Sequence, residues 1–358
     1  MRPRQLPLLI LPIVVLVALA SCSKPNDPQA RLKAAQAALD KGDTATAIRE
    51  LEAVTGADPK QAEARVLLAR AYEKAGRRDD AINQYQAAIL LQSQDAQVGY
   101  HLGTLLVAAG KPADAAVPLA LGVKLNTGMA ISFTQEISAA VAAGLAAGGE
   151  LVDKNPQQAT QLLEAVTMLD ARNARAHLLL GNAYINIGRT QEAIEQYKAI
   201  LSLDPKNASA ITNLGAAYYQ MNRLDEATAQ FQAALQLTPD DAETHYLLGA
   251  AYIQQNKVED AKAEFQTALR LNSDLAAAYI GLGNVQLIQG DLDSAVSSLT
   301  KATQLAPNSP EAFYALGKAL AQKGDPVGAR QAFQRFLTLN PPPNLRAEVE
   351  ELLKRLGP

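Results

Sequence analysis

The chain has 358 residues, 48% of them hydrophobic and 19% charged, with a net charge of −3. That balance excludes a largely disordered polymer, and the mild acidity argues against a nucleic-acid binder, which depends on basic residues and counterion release. A single Cys excludes internal disulfides and a structural zinc site built on thiolates.

In chain order, the first segment does not belong to a folded core. Arg2 and Arg4 form a short basic start, Leu6 to Ala20 is an apolar run broken by Pro7 and Pro12, and small residues follow. This is the layout of a secretory signal peptide. The run of 15 residues would rise only ~22 Å as a helix, short of the ~30 Å hydrocarbon core, which disfavours an uncleaved anchor. Leu19-Ala20-Ser21-Cys22 resembles the lipobox of bacterial lipoproteins, in which the cysteine takes up diacylglycerol and becomes the mature N-terminus. The resemblance implies a signal peptide over 1–21, lipidation of Cys22 and a short tether over 22–27. Its alternatives are an ordinary signal peptide with an incidental cysteine, or a membrane helix. Because Ser23 rather than an aspartate follows the cysteine, the same resemblance implies an exported protein anchored to the cell envelope, on the periplasmic face of the outer membrane if there are two membranes.

From Pro28 the sequence realigns with itself every 34 residues. The eighth place of each repeat is small: Ala35, Ala69, Gly103, Gly181, Gly215, Gly249, Gly283 and Gly317. Alanine fills the twentieth from Ala47 to Ala329, and a bulky residue the twenty-fourth, as in Tyr85, Tyr197, Phe231, Phe265 and Phe333. The eleventh often carries tyrosine: Tyr72, Tyr184, Tyr218, Tyr252. The fifteenth holds Gly42, Gly76, Gly110, Gly188, Asn222, Asn256, Gly290 and Gly324, the two residue types that tolerate the left-handed turn ending a helix. Small residues at two places and a ring at a third predict two helices per repeat in close approach.

This pattern resembles the tetratricopeptide repeat. The resemblance implies an all-α protein, an α-solenoid coiled as a right-handed superhelix. Three repeats fit 28–129, five fit 174–343, and 344–358 is a capping helix with Leu345, Val349, Leu352 and Leu356 on one face. The intervening 130–173 is 44 residues long, one repeat plus ten. It is rich in Ala, Gly and Val, and upstream of it Pro118 is expected to kink the second helix of the third repeat. Three readings stay open for it: a longer first helix packed inside the solenoid, a hinge between two blocks, or a membrane-inserting segment.

No catalytic constellation appears in the sequence. His101, His177 and His245 fall in three separate repeats, and acidic pairs such as Asp79-Asp80, Asp225-Glu226 and Glu259-Asp260 open second helices, where they suit the helix dipole. The expectation is a non-enzyme without cofactor, metal or small-molecule substrate. The family resemblance places the binding surface on the concave side, at places 2, 5, 9, 12 and 13. There stand Asn182, Asn186, Tyr219, Gln220, Tyr246, Gln254, Asn284, Tyr314 and Gln322, whose amides and phenols suit hydrogen bonding to a peptide backbone. The alternative is that these positions are merely solvated.

The partners implied are proteins or peptides, with the membrane reached through the lipid. The function implied is a scaffold assembling a cell-envelope complex, similar to lipoproteins that assist pilus or secretin assembly. The alternative is an accessory or recognition subunit of envelope glycan synthesis or export, with catalysis on another chain.

Overall fold

A computed structural model describes residues 27–356; the signal peptide and the lipidation at Cys22 expected from the sequence lie outside them. The described residues form helices and turns only. The first three hairpins are α1 (Pro28–Asp40) with α2 (Thr44–Ala57), α3 (Ala62–Lys74) with α4 (Arg78–Leu90), and α5 (Ala96–Ala108) with α6 (Ala116–Leu125). A 3-10 helix, Thr127–Phe133, leads to α7 (Thr134–Leu151) and α8 (Pro156–Leu169). Five hairpins follow: α9 (Ala174–Asn186) and α10 (Thr190–Leu203), α11 (Ala208–Gln220) and α12 (Leu224–Leu237), α13 (Ala242–Gln254) and α14 (Val258–Leu271), α15 (Ala276–Ile288) and α16 (Leu292–Leu305), α17 (Pro310–Lys323) and α18 (Pro326–Thr338). The last helix is α19 (Pro343–Arg355). Each helix packs on its neighbours in sequence, which makes the molecule an α-solenoid.

Local chemistry sets the hairpins. Asp27, Asp43, Asn173, Asn207, Asp241, Asp291 and Ser309 cap helix N-termini by accepting from a backbone N–H of the first turn. The first helix of a hairpin ends on a left-handed residue, for example Gly76 at φ 74° or Asn222 at φ 57°. The next N–H then closes back five residues, as from Arg77 to the Tyr72 carbonyl.

The small eighth place lets the paired helix insert its ring. A Cβ built on Gly215 would stand 2.8 Å from the Phe231 ring, which is fully buried. Successive repeats are joined by a recurring polar clasp that the sequence pattern did not disclose. The place-11 hydroxyls of Tyr72 and Tyr184 donate to Glu52 and Glu164 of the preceding repeat, both at 2.6 Å. Arg77 and Arg189 lie over those same rings, 4.3 and 4.5 Å from the centroids, and pair with Asp80 and Glu192. Tyr218 with Arg223 and Tyr252 with Lys257 repeat the stack.

The irregular middle packs against its neighbours. Pro118 does not kink a helix: α6 starts only at Ala116, so the proline stands in the first turn, where no intrahelical N–H is needed. Shortening α6 and inserting the 3-10 turn changes the stacking. Elsewhere a second helix, beyond its own hairpin partner, packs on the next first helix; here α6, beyond its partner α5, packs on α8 more than on α7, and α7 pairs with α8 while also touching α6. Small residues permit this three-helix junction, since Ala140, Gly144 and Gly148 are buried on one face of α7 and a Cβ at Gly144 would meet Val166 at 2.8 Å and Ala116 at 3.5 Å. The buried core runs from Leu32 through Ala116, Ala140 and Val166 to Ala176, so it continues through this segment. Within Thr127–Leu151 an 18-residue window has a mean hydropathy of 1.3, enough by length and composition to cross a membrane, in the segment that forms this junction.

Candidate functional site: a groove along the first helices

First helices of successive repeats approach one another directly, α11 to α13, α13 to α15 and α15 to α17, which α12, α14, α16 and α18 do not do to a comparable extent. The array therefore curves with its first helices inside. All nine groove residues expected from the sequence line cavities on that inner side. Asn182, Asn186 and Gln220 border one cavity of about 360 Å3, Tyr219, Tyr246, Gln254 and Asn284 a second of about 370 Å3, and Asn284, Tyr314 and Gln322 a third of about 710 Å3.

Not all of these side chains are free to bind. Asn182 accepts from the Tyr197 hydroxyl at 2.8 Å. Asn186 donates to the Val152 carbonyl at 3.0 Å and to Asp153 at 3.3 Å, tying α9 to the turn that follows α7. Gln254 donates to the Tyr219 hydroxyl, and the Tyr314 hydroxyl donates to Glu348 on α19 at 2.7 Å. Those amides and phenols hold the repeats in register. Gln220, Asn284 and Gln322 are exposed on the same face, so they present unspent donors and acceptors to the groove.

The groove also contains what the polar pattern concealed. Its C-terminal end is walled by Ile280, Leu287, Phe336 and Leu345, so it is apolar there rather than a continuous amide track. Leu345 and Pro342 come from the capping helix and its approach, which the sequence reading treated as a cover only. Place 5 is not fixed in polarity from repeat to repeat, and Ile280 holds that place in α15 where Tyr246 holds it in α13.

The three histidines serve the scaffold. His177 lies 2.8 Å from Gln196 and 3.1 Å from the Ala171 carbonyl; His245 lies 2.6 Å from Glu264 and 2.9 Å from the Pro239 carbonyl. Arg65 does the same work at the same place of its repeat, donating to Gln84 and the Pro59 carbonyl. His101 stacks on Tyr85 and meets Glu73 at 3.3 Å. Among the described residues no three His, Cys, Asp or Glu side chains converge as metal ligands.

Burial, followed by a neighbouring carboxylate, pushes the Tyr72 phenol up to about 12 through Glu52 and the Tyr314 phenol up to about 12 through Glu348. Burial alone takes Tyr197 to about 12, and raises Tyr85 and Tyr184 further, with help from Glu73 and Glu164. A phenol whose folded pKa exceeds its unfolded value of about 10 stabilises the fold fully below that pH and loses the contribution as pH rises through the folded value. Stability is thus expected to hold up to about pH 10 and fall steeply toward 12. Ultraviolet tyrosinate absorbance should rise together with loss of helicity; ionisation of these phenols near pH 10 with helicity intact would contradict the assignment.

Sequence comparison agrees with this geometry. Profiles described as TPR repeat match residues 181–222 and 217–256, and profiles described as tetratricopeptide repeat match 38–100, 151–196, 246–310 and 280–342. Together they take in well over half of the chain and leave out 101–150, where α6 and α7 depart from regular stacking. No curated protein matches the chain. Among solved structures, Pseudomonas aeruginosa pilF is 22% identical with a TM-score of 0.52, over 61% of this chain and 99% of that one. A chain of the APC/C hetero-tetramer Cut9–Hcn1 is 13% identical with a TM-score of 0.52, over 92% and 96%. Yeast Tom70 is 14% identical with a TM-score of 0.50, over 93% and 89%. At these identities the likeness is one of fold.

Proposed function

The chain belongs to the tetratricopeptide repeat family, and on that premise we propose that it is a protein-interaction scaffold which captures a partner segment along its inner groove. The observation that carries this is the exposed, unspent set Gln220, Asn284 and Gln322, spaced along three first helices and bordering the cavities of the groove. Such amides hydrogen-bond a partner's backbone, while the histidines and most tyrosines are already engaged in the scaffold. Catalysis is left to other chains.

The scaffold is proposed to be held at the cell envelope by lipid on Cys22, on the periplasmic face of the outer membrane where there are two membranes, and to organise an envelope complex there. Support for this is the Leu19-Ala20-Ser21-Cys22 run. Only Ser23 to Asp27 separate the cysteine from α1, a span of at most ~18 Å, so the N-terminal repeats would lie near the lipid surface and the groove of α11 to α19 would project from it.

Replacing Gln220, Asn284 and Gln322 by Ala is expected to weaken capture of membrane partners, read by cross-linking and affinity isolation, by roughly tenfold or more while the melting temperature stays put. Unchanged capture would reject the groove. Cys22→Ser should abolish incorporation of labelled palmitate; retained label would reject the anchor.

A further inference from the structure

The C-terminal end of the groove differs in chemistry from its middle. Between α15, α17 and α19 lies the cavity of about 710 Å3, and it shares Ile280, Asn284 and Glu311 with the cavity of about 370 Å3 beside it, so the two form one trench. Ile280, Leu287, Ile288 and Leu345 supply its apolar surface. In the middle of the array the corresponding cavity is bordered by Asp153, Asn182, Asn213 and Gln220. Apolar walls of this extent reward a partner that brings several aliphatic or aromatic side chains on one face and gain little from a polar strand.

Charge settles the rest of the partner's character. The trench has one lysine, Lys318, which lies 5.2 Å from the centroid of Tyr314, whose hydroxyl donates to Glu348. Glu311, exposed on the trench wall, accepts only from the Ser309 hydroxyl at 2.8 Å. Glu243, exposed one turn before Tyr246 on α13, forms no ion pair among the described residues. Three exposed carboxylates, Glu243, Glu311 and Glu348, stand around the trench against one lysine, so its rim is net acidic.

We propose that this trench, with α19 as one wall, takes a cationic amphipathic segment of a partner protein. Its apolar side chains seat against Ile280, Ile288 and Leu345, and flanking Lys or Arg residues face Glu243 and Glu311. The capping helix is thereby part of the binding site as well as the end of the array. This rests on the reading of the inner face as a capture surface and adds the chemistry of what is captured.

The test uses the full chain and three fluorescent synthetic peptides of about 18 residues (~27 Å as a helix): a Leu/Lys amphipathic peptide, its Leu/Glu counterpart and a Ser/Lys peptide of the same charge. Anisotropy titrations are expected to give the Leu/Lys peptide at least tenfold tighter binding than either control. Glu243→Gln and Glu311→Gln should each weaken it about threefold, and Ile280→Ala about tenfold. Glu351→Gln, in the ion pairs along α19, should change nothing. Equal binding of either control peptide, or wild-type affinity in the trench variants, overturns the proposal. If that happens while the Gln220, Asn284 and Gln322 substitutions still abolish partner capture, the broader reading stands without it; normal capture by those substitutions removes both.

Discussion

Replacing Phe231 by Ala is expected to cost about 3–5 kcal/mol, the usual penalty for emptying a fully buried aromatic site, and to split unfolding into two steps. The ring is fully buried on α12, seated over Gly215 of α11 and within the core that runs from Val152 to Ala251. In a solenoid each repeat contacts only its neighbours, so cooperativity depends on each interface between them. A cavity at α11 and α12 should let the repeats after α13 melt apart from those before α10. Denaturant titrations followed by helicity and by amide exchange would register this as two transitions against one in the wild type. A single coincident transition displaced by less than 1 kcal/mol would show that the ring is not the keystone of its interface.

The second large effect is expected at Gly99. A Cβ there would lie 2.3 Å from the Pro118 carbonyl oxygen and 2.7 Å from the Gly122 nitrogen. Both are backbone atoms, so no side chain can rotate away and α6 itself must move. Gly99→Ala should therefore reach or exceed the upper end of the 1–3 kcal/mol cost typical of overpacking, and loosen the junction of α6, α7 and α8. The same change at Gly56, which has nothing within 4 Å of the added methyl, should gain about 0.5 kcal/mol by restricting the unfolded chain. Thermal melts of the two variants give opposite signs on this account; equal shifts would contradict the close approach of α5 and α6.

Much of this architecture was legible in the sequence because a 34-residue period repeats each packing requirement many times over. Gly or Asn at the fifteenth place, a small residue at the eighth and a ring at the twenty-fourth are single-residue consequences of backbone geometry, and helix starts at Pro28, Ala62, Ala96, Ala174, Ala208, Ala242, Ala276 and Pro310 keep that spacing. The middle was less legible because the rule that broke was one of stacking order. A longer α7 was one of the readings that composition left open, but that α6 would start late and lean on α8 depends on how three faces of small residues fit together.

The groove was half legible. Its polar members sit at predictable places on the inner face, yet the sequence gives no sign that Asn182 and Asn186 are consumed by Tyr197 and the turn that follows α7, since those partners lie 15 and 33–34 residues away. The clasp of Arg189 over Tyr184 escaped for the same reason: it joins place 16 to place 11 and then to the previous repeat's Glu164, a relation between columns rather than within one. The apolar trench required the position of α19 against α17, shown by Tyr314 reaching Glu348, before Leu345 could be seen as part of a site.

The central claim is that a partner is gripped on the inner face of the C-terminal repeats. The most direct measurement is site-specific photo-crosslinking in cells, with a photoreactive phenylalanine analogue introduced at Asn284 in the groove or at Gln334, which is exposed on α18 of the outer layer. Cross-linked partner is expected from Asn284 and not from Gln334. Adducts formed equally at both positions, or at Gln334 alone, would contradict it.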